Sequence, residues 1–137
     1  MDTPSNATVR CVGGIAHDPQ GRLLLIRRGN DPDWGMWSIP GGRVERDETD
    51  IEAVVRELRE ETGLDVTPST LVGSLTYGPY EIFDYTCAVD GGVLRAGDDA
   101  SDAQWADAAK ITELLTAGQL RERLFVTLRD WGVLPHH

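Results

Sequence analysis

Residues 42–64 read GRVERDETDIEAVVRELREETGL, and the fold can be read outward from this stretch. Ile51, Val54, Val55 and Leu58 recur at i, i+3, i+4 and i+7, which predicts an amphipathic helix over residues 49–62 with those four side chains on its buried face. Thr49, or Asp47 just before it, can cap the start, and Gly63 supplies the left-handed stop. On a wheel of about 100° per residue counted from Ile51, Glu57, Glu60 and Glu61 fall at about 240°, 180° and 280°. Three carboxylates thus share one face beside the apolar stripe.

Stability alone disfavours that arrangement. Glu57 and Glu61 are i, i+4 neighbours of like charge, and the cluster crowds the C-terminal half of the helix, where the macrodipole opposes negative charge. A divalent cation reverses the balance, because Mg²⁺ prefers hard oxygen ligands and is held by a few carboxylates together with substrate phosphates. The plainer alternative is a solvated acidic face salt-bridged by Arg56 and Arg59. Three flanking features favour the metal site. Gly41-Gly42 lets backbone approach a ligand closely, Glu48 opens the helix where its charge suits the dipole, and Arg56, beside Glu60 on the wheel, is placed to orient a carboxylate.

On the N-terminal side, residues 9–16 (VRCVGGIA) and 22–26 (RLLLI) flank the turn signal Asp18-Pro19-Gln20-Gly21 and read as a hairpin. Residues 29–42 form a Gly/Pro/Asp-rich loop holding a short buried strand at Trp37-Ser38-Ile39. Downstream, residues 66–77 and 82–89 are strand candidates. Gly91-Gly92 marks a turn, Val93-Leu94 and residues 103–106 are short strands, and residues 111–115 and 120–131 are helical, the last with Leu120, Leu124, Leu128 and Trp131 on one face. Strands and helices in this order predict a single α/β domain over residues 1–137, a mixed sheet with helices packed on it.

The chain has 137 residues, 40% of them hydrophobic, enough for a core in one domain. A formal net charge of −10 argues against binding nucleic acid or anionic membranes, which calls for basic patches. No stretch is long and apolar enough to span a bilayer, and Met1 to Arg10 lacks the apolar core of a signal peptide, so a cytoplasmic location is expected. Cys11 and Cys87 lie in apolar runs and are expected as buried small hydrophobes. His17, His136 and His137 form no cluster.

Residues 42–64 resemble the signature of the Nudix hydrolases. Gly42 is followed by five residues and Glu48, seven more lead to Arg56-Glu57-Leu58, one to Glu60-Glu61, and one to Gly63-Leu64. Trp37-Ser38-Ile39-Pro40-Gly41-Gly42 is similar to the segment that leads into that signature, and Trp105 to an aromatic that follows the family's central strands. The resemblance implies an α/β/α sandwich around a mixed β-sheet, and hydrolysis of a diphosphate linkage by water activated with Mg²⁺ or Mn²⁺. The implied substrate is a small-molecule nucleoside diphosphate linked to another group: ADP-ribose-like, dinucleoside polyphosphate or (d)NTP. It also implies Glu57, Glu60 and Glu61 as metal-binding or water-activating carboxylates, the Gly41 carbonyl as a further ligand, and Arg56 as the arginine that orients a glutamate. Gly42, Glu48 and Gly63 anchor the loop.

Relatives are often homodimers, an option the apolar face of the last helix leaves open. Where many relatives carry glycine before the first signature glutamate this chain has Asp47, so a local turn difference with intact chemistry is expected. A later acid serves some relatives as ligand or base. Here Glu81, Asp98, Asp99 and Asp102 are candidates, with Asp99 favoured by its distance ahead of Trp105. For the substrate, Trp34, Trp37, Tyr77 and Tyr80 can stack on a base, and Arg27 and Arg28 can meet phosphate or ribose. The adjacent Pro79 and Tyr80 do not decide between substrate classes. On the same fold, a non-catalytic nucleotide-sensing module and an isoprenoid diphosphate isomerase-like enzyme are the competing readings.

Overall fold

The computed structural model describes residues 8–30, 33–97 and 99–136. Its elements run β1 (Val9–Ala16), β2 (Leu23–Arg28), β3 (Trp37–Ser38), β4 (Gly41–Arg43), α1 (Asp50–Thr62), β5 (Leu64–Tyr77), β6 (Tyr80–Gly92), β7 (Ala100–Ala106), α2 (Ala108–Thr116) and α3 (Glu122–Asp130). The strands form two sheets, one ordered β4-β1-β6-β5 and one ordered β3-β2-β7. The first is mixed, because β1 runs parallel to β6 and antiparallel to β4. Among the described residues no helix is long and apolar enough to cross a membrane.

Two apolar clusters hold the layers together. One joins Ala53, Val54 and Leu58 of α1 to Val12, Leu24, Leu64, Val66 and Cys87. The other joins Ile15, Leu23, Leu25 and Trp37 to Ile111 and Leu114 of α2 and Leu128 of α3. Helix therefore covers both sides of the strands, the expected α/β/α sandwich. From Cys11 to Ala16 every residue of β1 is buried, as a strand between two packed layers must be. Both cysteines are free and buried.

The expected hairpin is half right. The turn forms as read, with Asp18 Oδ1 accepting from the backbone of Gln20 (3.0 Å) and Arg22 (2.8 Å). The strands it joins belong to different sheets, linked by backbone pairing at the His17–Leu23 bridge. The turn is local chemistry; sheet membership is decided by partners far away in sequence. Gly91-Gly92 is no turn but the end of β6, opposite Asp65 and Leu64, and Val93-Leu94 is not a strand. The long β5–β6 hairpin instead turns at Gly78-Pro79, with Gly78 at φ 59°.

Helix α1 begins where expected. Thr49 Oγ accepts from Glu52 N and the Glu52 carboxylate accepts from Thr49 N, a complete capping box, and Gly63 closes the helix at φ 74°. The buried stripe is rotated from the expected one. Ala53, Val54, Leu58, Glu61 and Thr62 are buried, whereas Ile51 is 41% exposed and Val55 only partly covered. Asp47 adopts φ 65°, a left-handed conformation that costs a non-glycine residue energy. Asp47→Gly should leave stability within about 1 kcal/mol of the parent, while Asp47→Val should lower it by about 1–2 kcal/mol, read by urea unfolding.

Candidate active site

The α1 carboxylates meet the backbone of β4 at the edge of the mixed sheet. Glu61, 5% exposed, accepts a 2.8 Å hydrogen bond from the Gly41 N–H. Glu57 lies over Gly42 so closely that a Cβ there would stand 2.5 Å from its carboxylate. Both consecutive glycines are therefore required, Gly42 to admit a carboxylate and Gly41 because its own Cβ would strike the Val12 carbonyl.

Arg56 is the hub of the cluster. Its Nε and Nη2 grip the two oxygens of Glu48 at 2.7 and 2.9 Å, and Nη2 also donates to the Arg43 carbonyl at 3.0 Å. Its Nη1 is shared between Glu57 (3.0 Å) and Glu60 (3.1 Å). Glu48 in turn accepts from Glu45 N, which ties the loop to the helix. The bidentate grip holds the Glu48 carboxyl below its ordinary pKa and raises that of Arg56.

The three glutamates are not equivalent. Glu60 is the most exposed, at 42% of its side chain. Burial pushes the Glu57 carboxyl up despite Arg56. Glu61 is pushed up to about 8, first by burial and then by Glu57, with the Gly41 N–H and Arg28 opposing and Asp99 adding to the rise. Among the described residues no three His, Cys, Asp or Glu side chains already converge as a metal cage. Glu57 and Glu60 turn toward the same guanidinium nitrogen and Glu61 toward the Gly41 N–H. The donor set still suits a hard divalent cation: clustered carboxylates of raised pKa beside side-chain-free backbone are under-neutralised, and a cation would lower both pKa values.

The remaining candidates divide clearly. Arg28 and Asp99 lie near enough to act on Glu61, and Asn30 Nδ2 holds Asp99 Oδ1 at 2.6 Å. Arg27 donates to Ser101 Oγ at 2.9 Å. Asp102 is used locally, accepting from Ala103 N and Gln104 Nε2, and Glu81 stands opposite Thr76 and Arg10 on β6. Asp98 and His137, like Met1 to Ala7, lie outside the described residues. Trp34 is 69% exposed, Trp37 is core, Tyr80 lies under the Arg43 guanidinium, and Tyr77 is stacked by Arg123. Sequence reasoning passed over Arg43, whose carbonyl and guanidinium both serve this region, and the buried Asp84. Asp84 was hidden inside an apolar strand pattern.

A helix-borne acid cluster at the edge of a mixed sheet, between helical layers, places the chain among small α/β/α sandwich domains. The Nudix domain family model matches residues 7–128, and the chain belongs to the Nudix hydrolase family. It is 39% identical over 109 residues to an ADP-ribose pyrophosphatase of Methanocaldococcus jannaschii, covering 75% of this chain and 64% of that one. It is 33% identical over 101 residues to an 8-oxo-dGDP phosphatase of Danio rerio, covering 70% of this chain and 31% of that one. The chain thus spans less than two thirds of these relatives' lengths. A Nudix hydrolase structure from Nitrosomonas europaea superposes with TM-score 0.76 at 20% identity, covering 93% of each chain.

Glu61 has a thermodynamic consequence. Its folded pKa of about 8 exceeds the ordinary 4.5, so between those values the folded state holds the proton more tightly than the unfolded one. Its contribution to stability is present below pH 4.5 and lost as pH rises through 8. In chelator the melting temperature should fall across this window, the fall should shrink in Glu61→Gln, and Mg²⁺ should restore most of the loss at pH 8.

Proposed function

We propose that the chain is a pyrophosphohydrolase that splits the diphosphate linkage of a nucleoside diphosphate joined to another group. The observation that carries this reading is the pairing of half-buried Glu57 and buried Glu61, both of raised pKa, against the glycine backbone at 41–42. A bound Mg²⁺ or Mn²⁺ would screen the diphosphate oxygens and make a water molecule acidic enough to attack phosphorus. Glu57, Glu60 and Glu61 would hold the cation, with the Gly41 carbonyl as a backbone oxygen donor. Arg56 keeps Glu57 and Glu60 within reach of one another while remaining fixed by Glu48. With its carboxylate buried, Glu61 is the best placed of the three to accept a proton from the attacking water. Arg28 and Asp99 flank Glu61 and are the nearest candidates for contact with the departing group. A net charge of −10 does not repel such a substrate when part of it exists to gather cations.

The names of the relatives support this class and spread over ADP-ribose and oxidised guanine nucleotides. The test is a panel of ADP-ribose, dinucleoside polyphosphates and nucleoside di- and triphosphates with Mg²⁺ or Mn²⁺, products followed by phosphorus NMR. Metal-dependent release of nucleoside monophosphate is expected on at least one. Glu57→Gln and Glu61→Gln should each lower kcat at least about a hundredfold, and Arg56→Lys, which loses the two-pronged grip on Glu48, about tenfold or more. Turnover in chelator, or full activity in both glutamine variants, would refute the reading.

A further inference from the structure

Helix α1 has a second side that the reaction above leaves unused. Glu57 and Glu61 lean on the backbone of β4, whereas a shallow groove on the outer side is lined by Ile51, Glu52, Val55, Arg56, Arg59 and Glu60. Counted from Ile51, these six span the half-turn of the helix wheel from about 0° to 180°, and Glu57 and Glu61 lie outside it at about 240° and 280°. Ile51 is 41% exposed and Val55 half-covered, so an apolar strip runs along this side in contact with solvent.

The charges of this strip are ordered. The chain as a whole carries a net charge of −10, yet here two glutamates balance two arginines. Turned end over end about the point between Val55 and Arg56, the helix brings Glu52 onto the place of Arg59, Val55 onto Arg56 and Ile51 onto Glu60. Glu52 and Arg59 stand at equal heights on either side of that point, about 5 Å along the axis. Each has capacity to spare. The capping box takes one oxygen of Glu52, Oε1, and Asp65 takes the Nε of Arg59, which leaves Oε2 and both Nη groups for a partner.

We propose that this strip is the contact between two copies of the chain, their α1 helices packed antiparallel across a twofold axis between Val55 and Arg56. A twofold contact must be self-complementary, and this one is. Glu52 of each copy meets Arg59 of the other, and the aliphatic stem of Arg56 covers Val55 across the axis. The charges select one register. Slid by a helical turn in one direction, Glu52 faces Val55 and Arg59 loses its partner; slid in the other, Arg56 faces Arg59. A uniformly acidic or uniformly basic partner would oppose two like charges of the strip, whereas a second copy opposes none. One helix face is smaller than the about 800 Å² per partner of a standard interface, so the dimer is reversible and concentration-dependent. Glu57 and Glu61 point away from the axis, and both reaction sites stay open.

The test is sedimentation equilibrium of the full chain from micromolar to millimolar concentration, each variant first shown to be folded by its melting curve. The parent should dimerise. Arg59→Glu or Glu52→Arg, which sets like charges opposite each other twice per dimer, should raise the dissociation constant at least about tenfold. The two reversals combined should return it to within about threefold of the parent, although that chain has lost both the capping-box carboxylate and the Asp65 pair. Damage to the helix would accumulate in the combined variant, so recovery there has no purely structural explanation. Glu52→Gln keeps the cap and Val55→Lys leaves it untouched, so the test survives a reversal that does not fold. Both should weaken the dimer. A parent that stays monomeric up to about 1 mM overturns the proposal. So does a dimer indifferent to every one of these variants, or a combined reversal that is folded and stays monomeric.

Discussion

The constraint on which the site depends is the burial of Glu61 against the backbone of β4. A carboxylate at 5% exposure with one neutral N–H donor and a second carboxylate beside it would carry its charge at considerable cost, and keeps its proton up to about pH 8 instead. Much of the surrounding sequence follows from fitting it there. Gly41 and Gly42 have no side chains because Glu57 and Val12 occupy the space. Helix α1 is rotated so that Glu61 falls in the middle of its buried stripe, flanked by Val54, Leu58 and Thr62. Arg56 and Glu48 form a fixed bracket on the solvent side, which keeps the other glutamates from collapsing onto the chain elsewhere.

That rotation explains why the helix was readable and its orientation was not. Periodicity located α1 and its glycine stop to within a residue, and Thr49 is the one of its two candidate caps that serves. The same periodicity placed Ile51 and Val55 in the core, because hydrophobicity alone has no way to weigh an acid that belongs inside. In the structure Ile51 and Val55 line a shallow outer groove with the side chains of Arg56 and Arg59. The acidic side of the helix wheel, not the apolar side, marked the direction of the sheet edge.

Other differences have the same origin. Asp18 determined a turn correctly because its hydrogen bonds reach only two and four residues ahead. It carried no information on whether β1 would pair with β2 or with β6, which lies more than sixty residues further on. Gly91-Gly92 read as a turn because glycine pairs usually are, yet both continue a ladder whose partners, Asp65 and Leu64, follow directly on the Gly63 cap of α1. Spacing within residues 42–64 transmitted the site almost whole, since those contacts are helical neighbours or a short loop away. Asp99 and Arg28 reach Glu61 through tertiary structure, and only the folded chain separates them from Asp102, Glu81 and Arg27.

The glycine row across the mixed sheet, Gly41, Gly13 and Gly73, links the two halves of the molecule. At the β4 end, absence of side chains lets carboxylates of α1 approach the backbone; at β1 it admits the Asp84 carboxylate and at β5 the Trp131 ring. One substitution pattern thus prepares two environments on a single sheet, one crowded with acids, the other holding an isolated buried acid. Neither environment is the most stable way to pack an α/β/α core, where an aliphatic side chain at position 84 and an alanine at position 13 would bury more apolar surface at no electrostatic cost. Retained instability of this kind concentrates where a fold meets its ligands. Here it occurs twice, at the sheet edge and at its centre.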